Sequence, residues 1–287
     1  MSSKIILFPL LLLSVAFPTG TAGQKIICYI FDDLVGKTGF NFFWDHLPTY
    51  KCSRFIYVLA SVNGNYRTTY LYKISLKSKH VPIDLGVPVN NANTGNIINY
   101  AVSWAKRYFR NRIHLVWEDN FPLAKKTKVV KDILKKWKHM KISQAVTCVP
   151  GVSGPVATDL LLNSGGIDLY IVHAKVHQSD LNQFVHYPSV CVEPLLKLGV
   201  PKEKVSIGLS MVMSMNIKYI EVCNDQTAAQ LLLDVGSSLQ CLARDRSLHG
   251  VMFWGVSTDD FTAITCGKGT YPLVTHYHEA GSNCDLR

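Results

Sequence analysis

The amino-acid sequence predicts an α/β fold, a single (β/α)8 TIM barrel. Eight short runs rich in β-branched and aromatic residues recur along the 287-residue chain. Longer segments of helical periodicity alternate with them, at roughly one strand-plus-helix unit per repeat. Such alternation is the pattern of a parallel sheet with helical crossovers. A count of eight favours a closed barrel over an open doubly wound sheet. The length agrees, because α/β barrels routinely use chains of this size as one domain.

Taken in order, residues 1–23 read as a signal peptide. Lys4 precedes the apolar run Ile5 to Phe17, and small residues follow at Thr21, Ala22 and Gly23. The run is too short to cross a bilayer, and no later stretch approaches the ~20 apolar residues that a span requires. Residues 24–287 are therefore expected to form one secreted, extracellular barrel domain. The strands are expected at Lys25–Phe31, Arg54–Ala60, Val81–Leu85, Ile113–Trp117, Gln144–Cys148, Asp168–Val172, Val205–Leu209 and Gly250–Trp254. Helices are expected at Asn96–Arg110, Leu123–Met140, Pro188–Leu198 and Asp225–Arg244, the third closed by Gly199 and Pro201. Gly151 to Pro155 and Asn163 to Gly166 punctuate the loops around a further helix.

The segment from Leu123 to Met140 has the clearest helical period. Val130, Ile133, Trp137 and Met140 fall on one face, with Lys125, Lys128, Lys131, Lys135 and Lys138 largely elsewhere. Those lysines suit either a solvated barrel helix or a basic binding face. The formal charge of the chain is +10, or +9 once Lys4 leaves with the leader. It can steer the protein toward an acidic glycan or a protein partner. No nucleic acid, cofactor or metal is expected. The eight cysteines are even in number and show no Cys-x-x-Cys spacing, which points to disulfides and away from zinc. No Asn-x-Ser/Thr sequon is present.

The candidate chemistry lies on Arg112-Ile-His-Leu-Val-Trp-Glu118. Side chains alternate along a strand, so His114, Val116 and Glu118 share one face. In a parallel barrel Glu118 then stands at the C-terminal end, where such barrels keep their sites. Nothing acidic stands two residues before it.

Several stretches resemble glycoside hydrolase family 18, the chitinases and their non-enzymatic chi-lectin relatives. Cys28-Tyr29 and Cys52-Ser-Arg-Phe-Ile-Tyr57 are similar to the family's first two strands. Leu196 to Gly208 is similar to the approach to its seventh. Most specific is Gly250-Val-Met-Phe-Trp-Gly-Val-Ser-Thr-Asp-Asp-Phe261, with Cys266 and Tyr271-Pro-Leu273 after it, which resembles the eighth strand and its exit. Tyr219-Ile-Glu-Val-Cys223 resembles the tail of the family's inserted α+β domain. Only about ten residues separate Leu209 from Tyr219, so that domain is expected to be largely missing. The resemblance implies the pairings Cys28–Cys52 and Cys223–Cys266. It leaves three pairings open for Cys148, Cys191, Cys241 and Cys284.

The departures bear on activity. The family's fourth strand carries Asp-x-x-Asp-x-Asp-x-Glu. With Glu118 at the glutamate, its aspartates fall on Asn111, His114 and Val116. The sixth-strand Met-x-Tyr-Asp is replaced around Ile171 to His177, and the third-strand Ser-x-Gly-Gly is reduced to Asp84 to Val87. Family enzymes use the glutamate as general acid and the substrate's acetamido oxygen as nucleophile. Val116 neither orients that group nor tunes the acid, so Glu118 is expected to be a remnant general acid without function. The expected protein is an inactive chitinase-like lectin. It would bind a chito-oligosaccharide or other glycan through Trp254, Tyr29 and Glu118. A barrel reassigned to protein binding and an active chitinase are the alternatives. His114 is the nearest partner an active Glu118 would have.

Overall fold

In the computed structural model the described residues are 25–31, 46–59, 81–90, 94–118, 121–148, 166–176, 181–186, 188–209, 223–256 and 259–281. Tyr72, Ser75, Leu76 and Cys284 are described as well. The leader and the glycine-rich stretches around 151–165 lie outside them.

The strands are β1 (Lys25–Phe31), β2 (Arg54–Val58), β3 (Ile83–Val89), β4 (Arg112–Trp117), β5 (Lys141–Cys148), β6 (Ile167–Ala174), β7 (Val205–Leu209) and β8 (Gly250–Phe253). They form a closed barrel in sequence order. All neighbours are parallel, and β8 closes on β1 with Lys25 opposite Gly250 and Cys28 opposite Phe253.

Closure gives each strand two buried faces, and this is why the runs are apolar at nearly every position. On β1, Ile26, Cys28 and Ile30 join the layer between barrel and helices, while Ile27 and Tyr29 join the barrel interior. Helices packed on the outer layer include Val102–Tyr108, Leu123–Lys136 and Gln226–Asp245. The last begins at Asp225, whose carboxylate accepts from the N–H groups of Thr227 and Ala228. Its Gly236 lets Tyr277 of the closing helix Pro272–Ala280 approach within the space a Cβ would occupy.

Three helices depart from their expected form. Leu123–Lys136 stops before Met140, because Trp137 turns out of helical geometry and Met140 is buried where β5 must begin. The segment expected as one helix from Asn96 contains a π-helical stretch, Ile97–Ala101, before Val102–Tyr108. Pro188 to Leu198 splits into a 3-10 turn, Pro188–Cys191, and a short helix, Glu193–Lys197. Pro194 has no N–H to continue an α-helix from the preceding turn, and Cys191 is tied to β5.

The disulfides join Cys28 to Cys52, Cys148 to Cys191, Cys223 to Cys266 and Cys241 to Cys284. No helix among the described residues is long and apolar enough to cross a membrane. Only positions 210–225 lie between β7 and the helix that follows it, too few for an inserted domain.

Candidate functional site

Polar residues enter the barrel interior from six strands and form one hydrogen-bonded network. Its base is Asp84 on β3, fully buried. The Asp84 carboxylate meets the Arg54 guanidinium at 2.7 Å and 3.1 Å, with Arg112 3.8 Å away. Ser143 donates its hydroxyl to the same carboxylate at 3.2 Å. His114 Nδ1 lies 2.9 Å from the Ser143 oxygen, and its Nε2 lies 2.8 Å from the hydroxyl of Tyr29. His173 Nε2 completes the chain, 2.9 Å from that hydroxyl.

Counting protons fixes the direction. The carboxylate only accepts, so the single Ser143 proton goes to Asp84, and Ser143 must accept from His114 Nδ1–H. Neutral His114 then has a bare Nε2, which takes the Tyr29 proton. The Tyr29 oxygen in turn accepts from His173 Nε2–H. Every bond therefore points from the mouth toward Asp84. Burial holds both imidazoles neutral: the His173 pKa falls to about 3, with Lys175 adding to the effect, and that of His114 lies well below its ordinary value. Burial likewise raises the Tyr29 phenol well above its ordinary range.

The mouth is aromatic. Trp254 sits just past β8, half-buried, with its ring centroid 4.8 Å from each of Tyr29, Phe31 and His173. Its indole N–H is buried without an acceptor among the described residues. Glu118 is the first residue past β4, exposed, its backbone N–H bonded to Val89. Val116 stands half-buried on the same face.

One expected placement changes. Tyr29 is fully buried. Its hydroxyl is shared between two histidines and its ring lies beneath the Trp254 ring, instead of presenting a face at the mouth. His114 is a satisfied interior group bonded to Tyr29 and Ser143, as an inward polar residue of a barrel layer usually is. The sequence reading passed over Arg54, Ser143 and His173. Their signal was a polar residue at an inward position of an otherwise apolar strand, which few of the strands lack.

Glu118 is exposed, and the titratable groups beneath form a hydrogen-bonded chain inside the barrel. At the mouth stand a half-buried indole, whose N–H is buried without an acceptor among the described residues, and the exposed Glu118 carboxylate.

No family model matches the chain, and no curated protein matches it. Solved structures do. A structure of human YKL-39, described as a pseudo-chitinase with retained chitooligosaccharide binding properties, shares 14% identity at TM-score 0.68, covering 90% of this chain and 99% of that one. Catalytic domain 2 of the Group II chitinase of Ostrinia furnacalis shares 14% at TM-score 0.66, covering 91% and 97%. A glycoside hydrolase family 18 chitinase mutant of Cycas revoluta, in complex with a chitotetraose, shares 12% at TM-score 0.64, covering 90% and 99%. The molecule is thus a closed (β/α)8 barrel of the chitinase type. Its fold is that of the family 18 chitinases and chitinase-like proteins, spanning nearly all of each neighbour's barrel.

Proposed function

We propose that this chain is a secreted, catalytically silent relative of the family 18 chitinases that binds carbohydrate at the C-terminal mouth of its barrel. The observation that carries the reading is Trp254, half-exposed on a bed of Phe31, Tyr29 and His173. A flat, rigid aromatic face with a polar edge suits stacking on a sugar ring. Val116 beside an exposed Glu118 supports binding without hydrolysis. General acid catalysis contributes roughly 10²–10⁴ in rate only when the acid is placed and protonated. Glu118 serves here as an acceptor for sugar hydroxyls. The likeness to a pseudo-chitinase that retains chitooligosaccharide binding supports the same assignment. The leader at residues 1–23 and the four disulfides support export.

The test is a glycan-array screen with chitotetraose titration of wild type, Trp254→Ala and Glu118→Gln. Wild type should bind, and Trp254→Ala should weaken binding at least tenfold while the fold persists. Turnover of a labelled chitotetraose should stay at background. Turnover abolished by Glu118→Gln would overturn the silent assignment, and binding untouched by Trp254→Ala would overturn the site.

A further inference from the structure

The charge of this protein is concentrated in one sector. Residues 94–141 hold 12 Lys and Arg against 3 Asp and Glu, a net of +9, while the whole chain carries +10. Of those three acids, Glu118 is the first residue past β4 and Asp119 is next to it in sequence. The third, Asp132, is spent in a 2.6 Å ion pair with Lys128 one turn away. Ten of the 12 cations are exposed.

Their placement is ordered. On the helix Leu123–Lys136, Lys128, Lys131 and Lys135 recur at helical spacing along one solvent face, and Lys138 follows in the turn beyond. The row runs down the outside of the barrel for about 15 Å. At its lower end Arg107 and Arg110 close the preceding helix and turn, and Lys106 caps the Trp137 ring at 3.7 Å. That contact joins the two helix ends into one surface. Lys141 continues the surface onto the start of β5, its backbone N–H bonded to Asn111 in the adjacent turn. Lysines near helix C-termini are favoured by the helix dipole. The dipole does not account for Lys128 or Lys131, or for Asp132 being the single acid on the two helices.

We infer that this face, remote from the mouth, is a binding site for a linear sulfated polysaccharide. A row of separated ammonium groups matches a polymer with a repeating charge, and the attraction is long-ranged and salt-sensitive. Single-stranded nucleic acid sites interleave open aromatic faces for base stacking; the aromatic at the centre here, Trp137, has a lysine over it. Surface-seeking membrane helices present a bulky apolar face to lipid; of the outward side chains on this helix only Leu123, at its start, is a large exposed hydrophobe. Four disulfides suit a compartment where sulfated polysaccharides are the abundant polyanions.

The experiment titrates the full disulfide-bonded protein with a size-defined heparin decasaccharide. A 20-base-pair DNA duplex, phosphatidylserine vesicles and polyglutamate serve as competing polyanions. Wild type should bind the decasaccharide at least tenfold more tightly than each of the other three. Affinity should fall steeply between 50 and 300 mM salt, roughly as counterion release demands. Lys128→Ser with Lys131→Ser and Lys135→Ser should lower affinity tenfold or more, and arginine at the same three positions should retain it. Lys197→Ser with Lys202→Ser and Lys268→Ser removes equal charge elsewhere and should leave affinity within about twofold. Equal loss from both serine triples would reduce the effect to net charge and overturn the site. Preference for DNA, vesicles or polyglutamate would overturn the ligand class. Chitotetraose at saturation should not displace the decasaccharide, and displacement would also overturn a site separate from the mouth. Trp254→Ala should leave heparin binding unchanged, so failure of the mouth assignment and failure of this one are read independently.

Discussion

His114 and His173 each give a ring nitrogen to the Tyr29 hydroxyl, and burial holds both neutral inside the barrel. In the unfolded chain the same imidazoles titrate near pH 6.5. Between that value and the folded pKa, about 3 for His173, the unfolded state carries more protons. Stability therefore rises with pH across this window and is lost on acidification, by up to about 1.4 kcal/mol per pH unit for each neutral histidine. His249, lowered to about 4, acts in the same sense. Asp259, raised to about 6 by burial, acts in the opposite one, because it takes up its proton more readily when folded. Three histidines against one carboxylate leave a net acid sensitivity. Urea midpoints measured from pH 7 to 4.5 should fall continuously, and a flat profile would contradict the neutral assignment. The position of Tyr29 on the first strand was legible in the sequence. Its partners were not, since they stand 85 and 144 residues away and meet only through the register of the closed barrel.

The strands were legible to within a few residues because each is buried on both faces, and a nearly unbroken apolar run is the direct mark of that. Helix limits were less so. Trp137 and Pro194 carry ordinary periodicity in the sequence, and what ends or splits their helices is the need to enter β5 and to reach Cys148. Nor did the sequence mark where strands press together. A Cβ on Gly208 would lie 2.2 Å from the Met252 carbonyl oxygen of β8, and backbone cannot swing aside as a side chain can. Gly208→Ala should therefore cost about 2–3 kcal/mol. Gly95, in the helical turn after β3, has nothing within 4 Å of its would-be Cβ. Gly95→Ala should be neutral or stabilise by about 0.5–1 kcal/mol. Equal losses in chemical denaturation would contradict the close approach of β7 and β8.

At the scale of the molecule, the aromatic mouth and the basic flank divide the surface between them, and the polar chain from His173 to Asp84 runs through the interior without opening on either. The mouth residues Glu118 and Trp254 were legible from their places at strand ends. The polarity of charge was present in the sequence too, but it became a surface only when Lys106 met Trp137 across two helices. The last two disulfides have a further effect. Cys223–Cys266 and Cys241–Cys284 overlap, so both bridge the stretch between Cys241 and Cys266, which carries β8 and Trp254. A protease that nicks this stretch cannot release a fragment, because each side of the cut stays tethered twice. Pieces produced by a cut after Arg244 or Arg246 should run together on a non-reducing gel and separate only after thiol is added. In a protease-rich fluid the nicked molecule would keep its eighth strand in place and its mouth intact.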